Sequence, residues 1–369
     1  MFGKLFSSKE NNIEVPEESE QLILTSLQAY SSDVFPKGIM PIAENVKISK
    51  HNNEITVSLT LPFPCQSELD VLASTLSDST GNLVNFDVTL NIVKVREHAI
   101  KNIGNVIAVA SGKGGVGKST TAVNLAYALQ AEGARVGILD ADIYGPSIPT
   151  MLGVRKERPT SDDGKTMIPI QAQGLAAMSI GFLVEEDDAT VWRGPMASSA
   201  FSQLLNETAW PELDYLIIDM PPGTGDIQLT LAQKVPVAAA VIVTTPQNVA
   251  LADAVKGIAM FDKVQVPVLG VIENMSYHVC DNCGHHSHIF GQKGGERIAD
   301  KFETRLLGQL PLNVDIRMAS DDGSIDLLEN STGEVANLYR RIARNTAAQL
   351  FMQLDNRSPL TAIVTTSDE

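Results

Sequence analysis

A glycine-rich segment that ends in a lysine and a hydroxyl residue carries the strongest chemical signal of the 369-residue sequence. Residues 112–119 read GKGGVGKS and fit the pattern G-x-x-x-x-G-K-[ST] between an apolar run and a helical segment. Glycines let backbone N–H groups surround phosphates, and the start of the helix adds partial positive charge. Lys118 is predicted to reach the β- and γ-phosphates of ATP, and Ser119 to bind Mg²⁺. The predicted nucleotide-binding residues of this loop are Gly112, Lys113, Gly114, Gly115, Val116, Gly117, Lys118, Ser119 and Thr120.

Carboxylates follow two apolar runs farther along the chain. Asp140 and Asp142 lie in LDADIYGPS, and Asp219 ends a buried run in YLIIDMPPGTGD. A lone aspartate at such a place is more often a helix cap. Two such positions behind a phosphate-binding loop favour a functional role, and Asp219 is predicted to hold Mg²⁺, usually through water.

Two cysteines in HVCDNCGHHSH, Cys280 and Cys283, form a second candidate site. Charged and polar residues between the thiols argue against a thioredoxin-type redox pair. The histidines that follow are too close in sequence for one chain to arrange four zinc ligands easily. Two chains related by a twofold axis would supply four thiolates, which suit either a [4Fe–4S] cluster or zinc.

The elements that must position these residues alternate between buried strands and helices. Such alternation predicts an α/β domain with a doubly wound, mostly parallel sheet. Strands are predicted at 105–110, 135–140, 215–220, 238–245 and 268–274, and helices at 119–133, 247–263 and 335–354.

A smaller α+β unit is predicted ahead of this domain, with helices at 19–30 and 66–78 and strands at 54–61 and 85–95. The predicted organisation is a flexible N-terminus 1–13, the small unit 14–98, a linker 99–104, the nucleotide-binding domain 105–354 and a flexible tail 355–369.

The composition limits the partners and the compartment. A net charge of −16 argues against broad binding to nucleic acid or to an anionic membrane. The N-terminus lacks an apolar stretch of signal-peptide length, and the apolar run 235–246 is too short to span a bilayer. Three cysteines do not form a disulfide framework, so we expect a cytoplasmic protein.

The loop KGGVGKST resembles the deviant P-loop of the MinD/ParA/nitrogenase-reductase class of ATPases. In that class, the lysine matching Lys113 reaches the nucleotide of a partner subunit. The resemblance also implies that Asp142 orients or activates the attacking water and that Asn274 reads the adenine base.

Residues 104–350 resemble the Mrp/ApbC family of iron–sulfur cluster carriers. The matching segments are SGKGGVGKSTTAVNLA, LDADIYGPSIPTMLG, WRGPM, DYLIIDMPPGTGD, TTPQNVAL, ENMSYHVCDNCG and IFGQKGGE. The resemblance implies a homodimer with a [4Fe–4S] cluster bridged by Cys280 and Cys283 of each subunit. It also implies a slow ATPase whose cycle gates cluster loading from an assembly scaffold or transfer to apo-proteins. In that family the histidines are not ligands, and His278, His285, His286 and His288 are expected to lie in a solvated loop.

The N-terminal unit resembles the small DUF59/MIP18-like domain, through LPFPCQSELDVLA. Proline precedes Cys65, whereas the usual motif places proline after the cysteine. Cys65 is therefore expected to be a small buried residue without a role in cluster handling.

Three alternatives have different signatures. A MinD/ParA-like positioning ATPase needs a basic amphipathic helix or a basic patch, and the C-terminal segment NRSPLTAIVTTSDE offers neither. An electron donor of the nitrogenase-reductase type has widely separated cluster cysteines. A zinc-bridged dimeric ATPase has the same thiol count as the cluster carrier, so metal reconstitution must distinguish the two.

Overall fold

The computed structural model describes residues 15–184, 194–280, 282–324 and 333–354. The chain divides into two compact units, residues 1–92 and 93–369. The segments 1–13 and 355–369, predicted to be flexible, lie outside the described residues.

The first unit has a three-stranded sheet in the order β1-β2-β3, with β1 and β2 antiparallel and β2 and β3 parallel. Its elements are α1 (Glu17–Ala29), β1 (Glu44–His51), β2 (Glu54–Leu61), α2 (Gln66–Thr80) and β3 (Leu83–Leu90). The strand predicted at 85–95 is wrong at both ends. It stops at Leu90 because its partner strand ends at Leu61, which pairs with Leu90.

Cys65 immediately precedes α2 and is 1% exposed, so the expectation of a small buried residue is confirmed. The unit is therefore an α+β module, as its alternating strands and amphipathic helices predict.

The second unit is built around a long sheet whose order is β11-β10-β9-β4-β8-β5-β7-β6, with β12 also paired to β10. Its strands are β4 (Ile103–Ala110), β5 (Val136–Asp140), β6 (Ile170–Ala172), β7 (Leu175–Ser179), β8 (Leu213–Asp219), β9 (Ala239–Thr244), β10 (Val268–Val279), β11 (His286–Ser287) and β12 (Arg305–Pro311). Its helices are α3 (Lys118–Ala131), α4 (Ile148–Met151), α5 (Gly194–Asn206), α6 (Asp226–Lys234), α7 (Asn248–Lys263), α8 (Gly294–Lys301), α9 (Val314–Asp322) and α10 (Glu334–Met352).

All pairings in this sheet are parallel except those at its two ends, β10 with β11 and β6 with β7. The central strands β4, β8 and β9 are almost continuously apolar and buried, as expected of strands covered on both faces. The predicted α/β fold with a doubly wound, mostly parallel sheet is confirmed.

This topology brings the chemistry-bearing residues to one edge of the sheet. Parallel strands end at the same edge, where ligands of open α/β sheets bind. The glycine-rich loop follows β4, Asp140 ends β5, and Asp219 ends β8, which lies between β4 and β5. The strand order therefore places both carboxylates beside the loop.

Candidate functional site

The glycine-rich loop is held tightly by its surroundings. A Cβ atom added to Gly112 would lie 2.1 Å from the carbonyl carbon of Asp253 in α7. Gly117, which precedes α3, has a φ of 81° and an added Cβ would lie 2.1 Å from Nδ2 of Asn274. Gly112 requires glycine because its neighbour is the backbone of α7, and Gly117 requires it for its left-handed backbone.

Lys118, the first residue of α3, turns its side chain into the protein and is only 6% exposed. Its ammonium group lies 2.5 Å from Oδ1 of Asp219 and donates to Oγ of Ser119 at 3.1 Å. The ion pair joins residues 101 positions apart in sequence. It holds the lysine and the strand-end carboxylate together beside the glycine-rich loop, where the ammonium group could bind a phosphate and the carboxylate a metal ion.

A cavity of ≈ 220 Å³ opens over the loop. Its lining combines most of the predicted phosphate-binding residues with one predicted catalytic carboxylate and a proline of the segment PPGTGD. The lining residues are Ser111, Lys113, Gly114, Gly115, Gly117, Lys118, Ser119, Thr120, Asp142, Ser147, Met151 and Pro222. Gly112 and Val116 do not line this cavity, since Gly112 packs on α7 and Val116 is buried.

Asp219 lies beneath this cavity with a fully buried side chain. Burial raises the pKa of Asp219, and the charge of Lys118 opposes that shift. Its second oxygen, Oδ2, is buried without a hydrogen-bond partner. Because buried polar atoms are normally satisfied, this oxygen fits the outer ligand shell of a magnesium ion. Ser119 and Asp219 are therefore the residues suited to Mg²⁺.

Asp140 organises the segment that carries Asp142. Oδ1 of Asp140 accepts from the backbone N–H of Asp142 at 3.0 Å, and Oδ2 accepts from the N–H of Ile148 at 3.2 Å. Oδ2 also accepts from the hydroxyl of Ser179 in the neighbouring β7 at 3.0 Å. The buried carboxyl group thereby fixes both ends of the turn that presents Asp142 to the cavity. Burial raises the pKa of Asp142, and the charge of Lys118 opposes that shift.

We expect Asp140→Asn to remove part of the pH dependence of stability. Burial, together with the charge of Asp219, raises the pKa of Asp140 from 3.8 to about 7. Between those values the folded protein holds a proton that the unfolded chain has released. The resulting stabilisation is complete below about pH 4 and is lost as the pH rises through about 7.

The measurement is the free energy of unfolding in urea for both proteins across that pH range. The wild-type value should fall relative to the variant by at most about 1.4 kcal/mol per pH unit. A difference between the two proteins that stays constant with pH would contradict this prediction.

Asn274 lies in β10 against the glycine-rich loop. Its Nδ2 donates to the carbonyl of Val116 at 2.9 Å, and its Oδ1 accepts from the backbone N–H of Met275 at 2.9 Å. These bonds fasten the strand to the loop. Recognition of adenine by Asn274 stays a prediction.

Hydrogen bonds of Ser111 hold Lys113 and the PPGTGD segment in place at the nucleotide site. Lys113 is half-buried in the cavity wall, and its carbonyl accepts from the hydroxyl of Ser111 at 2.9 Å. The N–H of Gly223, in the PPGTGD segment, donates to the carbonyl of Ser111 at 2.9 Å. The segment after β8 therefore contacts the strand end from which the glycine-rich loop starts.

The two thiols lie at the tip of a hairpin formed by β10 and β11, which we call the thiol hairpin (residues 277–288). His278 pairs with Ser287 and Val279 with His286. The turn closes with the N–H of Cys280 donating to the carbonyl of His285 at 3.0 Å, and the N–H of Gly284 donating to the carbonyl of Cys280 at 2.8 Å.

Cys283 is exposed and Cys280 is half-buried, so both sulfurs belong to an accessible turn at the end of the sheet. In the described part of the chain, no group of three or more His, Cys, Asp or Glu side chains is arranged to hold a metal ion. The thiol pair fits an iron–sulfur cluster or zinc ion as half of a four-thiolate set.

His285, His286 and His288 are exposed, as expected of a solvated segment, but the predicted loop is wrong at His278 and His286, which lie in β10 and β11. His286 belongs to β11 and its ring stacks on Tyr277, with centroids 5.0 Å apart and an angle of 11°. Nδ1 of His288 lies 3.1 Å from the carbonyl of Ser276. Both side chains are exposed, but these contacts hold them against the hairpin, which a sequence of adjacent polar residues does not reveal.

Several residues in and around the two sites are not predicted by the sequence. Ser147 and Met151 line the cavity, and Ser179 supports Asp140 from another strand. Glu273, next to Asn274, is fully buried at the base of the thiol hairpin. The acidic residue within the apolar run VLGVIEN was the available signal for Glu273, since a buried charge needs partners.

The phosphate-binding loop between a buried strand and α3, with its lysine paired to a strand-end aspartate in a parallel sheet, defines a P-loop NTPase. Residues 102–347 match the ParA-type family of NUBPL iron-transfer P-loop NTPases, and the chain belongs to that family. The resemblance to iron–sulfur cluster carriers is thereby confirmed.

Relatives match most of the chain. The iron–sulfur cluster carrier protein of Escherichia coli K12 is 48% identical over 355 residues, which are 94% of this chain and 96% of the relative. The iron–sulfur cluster transfer protein NUBPL of Dictyostelium discoideum is 47% identical over 272 residues, 72% of this chain and 84% of that protein.

Among solved structures, a nucleotide-binding protein of Archaeoglobus fulgidus in complex with ADP is 41% identical with a TM-score of 0.54. The match covers 61% of this chain and 88% of that one. Within the described residues, no helix is both long enough and apolar enough to cross a membrane.

Proposed function

We propose that this protein is an ATP-dependent iron–sulfur cluster carrier. The observation that carries the proposal is the position of the accessible thiol pair in the turn that follows β10, the strand whose Asn274 contacts the nucleotide loop. A cargo site and a nucleotide site are thereby joined by one strand. The names of the similar proteins, which refer to cluster carriage and transfer, support the same function.

The nucleotide site is proposed to bind and slowly hydrolyse ATP. Lys118 neutralises negative charge on the β- and γ-phosphates, and Asp142 orients the water that attacks the γ-phosphorus. Attack breaks the bond between the γ-phosphorus and the bridging oxygen, which leaves with ADP. Asn274 is proposed to bind adenine through the amide N–H that does not bond to Val116.

Mg²⁺ held by Ser119 and Asp219 would supply further charge neutralisation for the phosphates. Before nucleotide binds, Lys118 and Asp219 stabilise each other in the buried site. Phosphate and metal ion would take over these roles together, because each provides the opposite charge that one of the two side chains needs.

The cargo is proposed to be a [4Fe–4S] cluster shared by a homodimer. Each chain contributes Cys280 and Cys283, so two chains give the four thiolates that such a cluster requires. Lys113 is proposed to reach the nucleotide of the partner subunit. Bound ATP would then bring two chains, and with them two thiol pairs, into register. The proposed partners are a cluster-assembly scaffold and apo iron–sulfur proteins of the cytoplasm.

Cluster transfer to an apo-enzyme tests this function. The protein is loaded anaerobically with iron and sulfide, mixed with an apo-enzyme that needs a [4Fe–4S] cluster, and the recovered activity is followed with and without Mg·ATP. We expect recovery in the presence of the carrier and a rate that depends on ATP. The proposal would be contradicted if the apo-enzyme recovered no activity. It would also be contradicted if the protein bound zinc rather than iron when both metals were offered.

A further inference from the structure

The base of the thiol hairpin is fastened by one buried carboxyl group that belongs to none of the predicted sites. Glu273 is 0% exposed and lies in β10, seven positions before Cys280. Its carboxyl group accepts three hydrogen bonds, from Oγ of Ser276 at 2.6 Å, the N–H of Gly295 at 2.5 Å and Nε2 of Gln309 at 2.9 Å. A buried group with this many donors is firmly oriented.

These three donors come from both sides of the hairpin. Ser276 lies on the strand that enters it, and Gly295 lies in the first turn of α8, which follows it. Gln309 belongs to β12, beside β10 in the sheet. The Glu273 carboxyl group therefore ties the entry and the exit of the hairpin to each other and to the sheet.

The residue next to Glu273 contacts the nucleotide loop. Asn274 donates to Val116, and its Nδ2 lies so near Gly117 that a single added carbon atom there would overlap it. Met275, directly after it, has a φ of 54°, the left-handed region that is unusual for this residue type. Because Asn274 is hydrogen-bonded to the loop and packed against it, a shift of the loop on phosphate binding is passed to this part of β10.

We propose that Glu273 is a positioning residue that transmits the state of the nucleotide loop to the thiol hairpin. Asn274 follows the loop, and Glu273 passes the displacement to both ends of the hairpin through Ser276 and Gly295. The inference rests on the proposed function only in naming the thiols as the cargo site. The coupling itself exists in the protein without metal.

The test is the rate at which iodoacetamide alkylates Cys280 and Cys283 in the full-length, metal-free protein, resolved by peptide mass spectrometry. Rates are compared without nucleotide, with Mg·ADP and with Mg·ATPγS. Cys65 is buried and serves as the internal reference for unfolding. In the wild type we expect nucleotide to change the rate at the hairpin thiols by at least about fivefold.

In Glu273→Gln we expect this nucleotide response to shrink to below about twofold while the affinity for nucleotide stays within about twofold of the wild type. Ser276→Ala removes one of the three hydrogen bonds and should give a nucleotide response between those of the wild type and Glu273→Gln. If Glu273→Gln does not fold, the response of Ser276→Ala tests the proposal in its place. The matched control is Thr304→Val, which removes a hydrogen bond to the carbonyl of Val268 at the far end of β10. It should respond as the wild type does.

A full nucleotide response in Glu273→Gln or Ser276→Ala would overturn the proposal, as would a wild-type protein whose hairpin thiols ignore nucleotide. Failure of cluster transfer with an intact alkylation response would instead reject the proposed function and leave the coupling in place.

Discussion

Replacing Lys118 by alanine should lower the ATP hydrolysis rate by about 100- to 1000-fold, because a preorganised positive charge at the phosphates is lost. The same change should lower the free energy of unfolding by about 3–5 kcal/mol, because Asp219 is left as an unpaired buried carboxylate. Hydrolysis is measured as phosphate release and stability by urea unfolding.

The double variant Lys118→Ala/Asp219→Asn separates these two effects. It should recover most of the lost stability, because no uncompensated charge remains, but none of the hydrolysis. Lys256→Ala is the matched control, since Lys256 also pairs with an aspartate, at 2.9 Å, but is 65% exposed. It should change stability by less than about 1 kcal/mol and leave hydrolysis unchanged. Hydrolysis retained in Lys118→Ala would contradict the assigned role.

Cys280→Ser and Cys283→Ser should each reduce the iron retained after anaerobic reconstitution and desalting by at least about tenfold. Serine keeps the size of the side chain but does not provide a thiolate, and two variant chains together lose two of the four cluster ligands. Iron and sulfide are assayed chemically, and the thiolate-to-iron absorption is recorded in parallel.

Cys65→Ala is the control for the thiol variants, because Cys65 is buried in the first unit and belongs to neither predicted site. It should retain iron as the wild type does, whatever its effect on stability. Loss of iron in Cys65→Ala alone, or retention in both hairpin variants, would contradict the assignment of the cluster site.

The nucleotide site was predictable because its signal is local. The spacing of glycines, Lys118 and Ser119 within one short segment determines a loop whose backbone surrounds phosphates. The apolar runs before the loop and before Asp219 predicted the parallel strands that deliver both to one edge of the sheet. The thiol pair was predictable for the same reason, because Cys280 and Cys283 lie close together in the sequence.

Contacts between residues distant in sequence were not predictable in this way. The ion pair of Lys118 with Asp219 depends on β4 and β8 being neighbours, which no local pattern specifies. The same holds for the bond between Ser179 and Asp140. β12 was missed because its sequence RLLGQLP interrupts the apolar residues with Gly308 and Gln309, unlike the continuous apolar runs of the other parallel strands, although it pairs with β10.

The thiol hairpin illustrates both cases. Its cysteines were recognised from spacing, but its strand β11 has only two residues and no apolar pattern. Its shape depends instead on Tyr277 stacking against His286 and on the carboxyl group of Glu273. Such short elements are stabilised by tertiary contacts rather than by the propensity of their own residues.

Native mass spectrometry of the anaerobically reconstituted protein tests most directly whether two chains share the cluster. The account predicts that the [4Fe–4S] cluster is found only in a species of two chains, one cluster for each pair. Mixed pairs of a wild-type chain with a Cys280→Ser/Cys283→Ser chain should carry none. A single chain that retains a complete cluster would contradict the account.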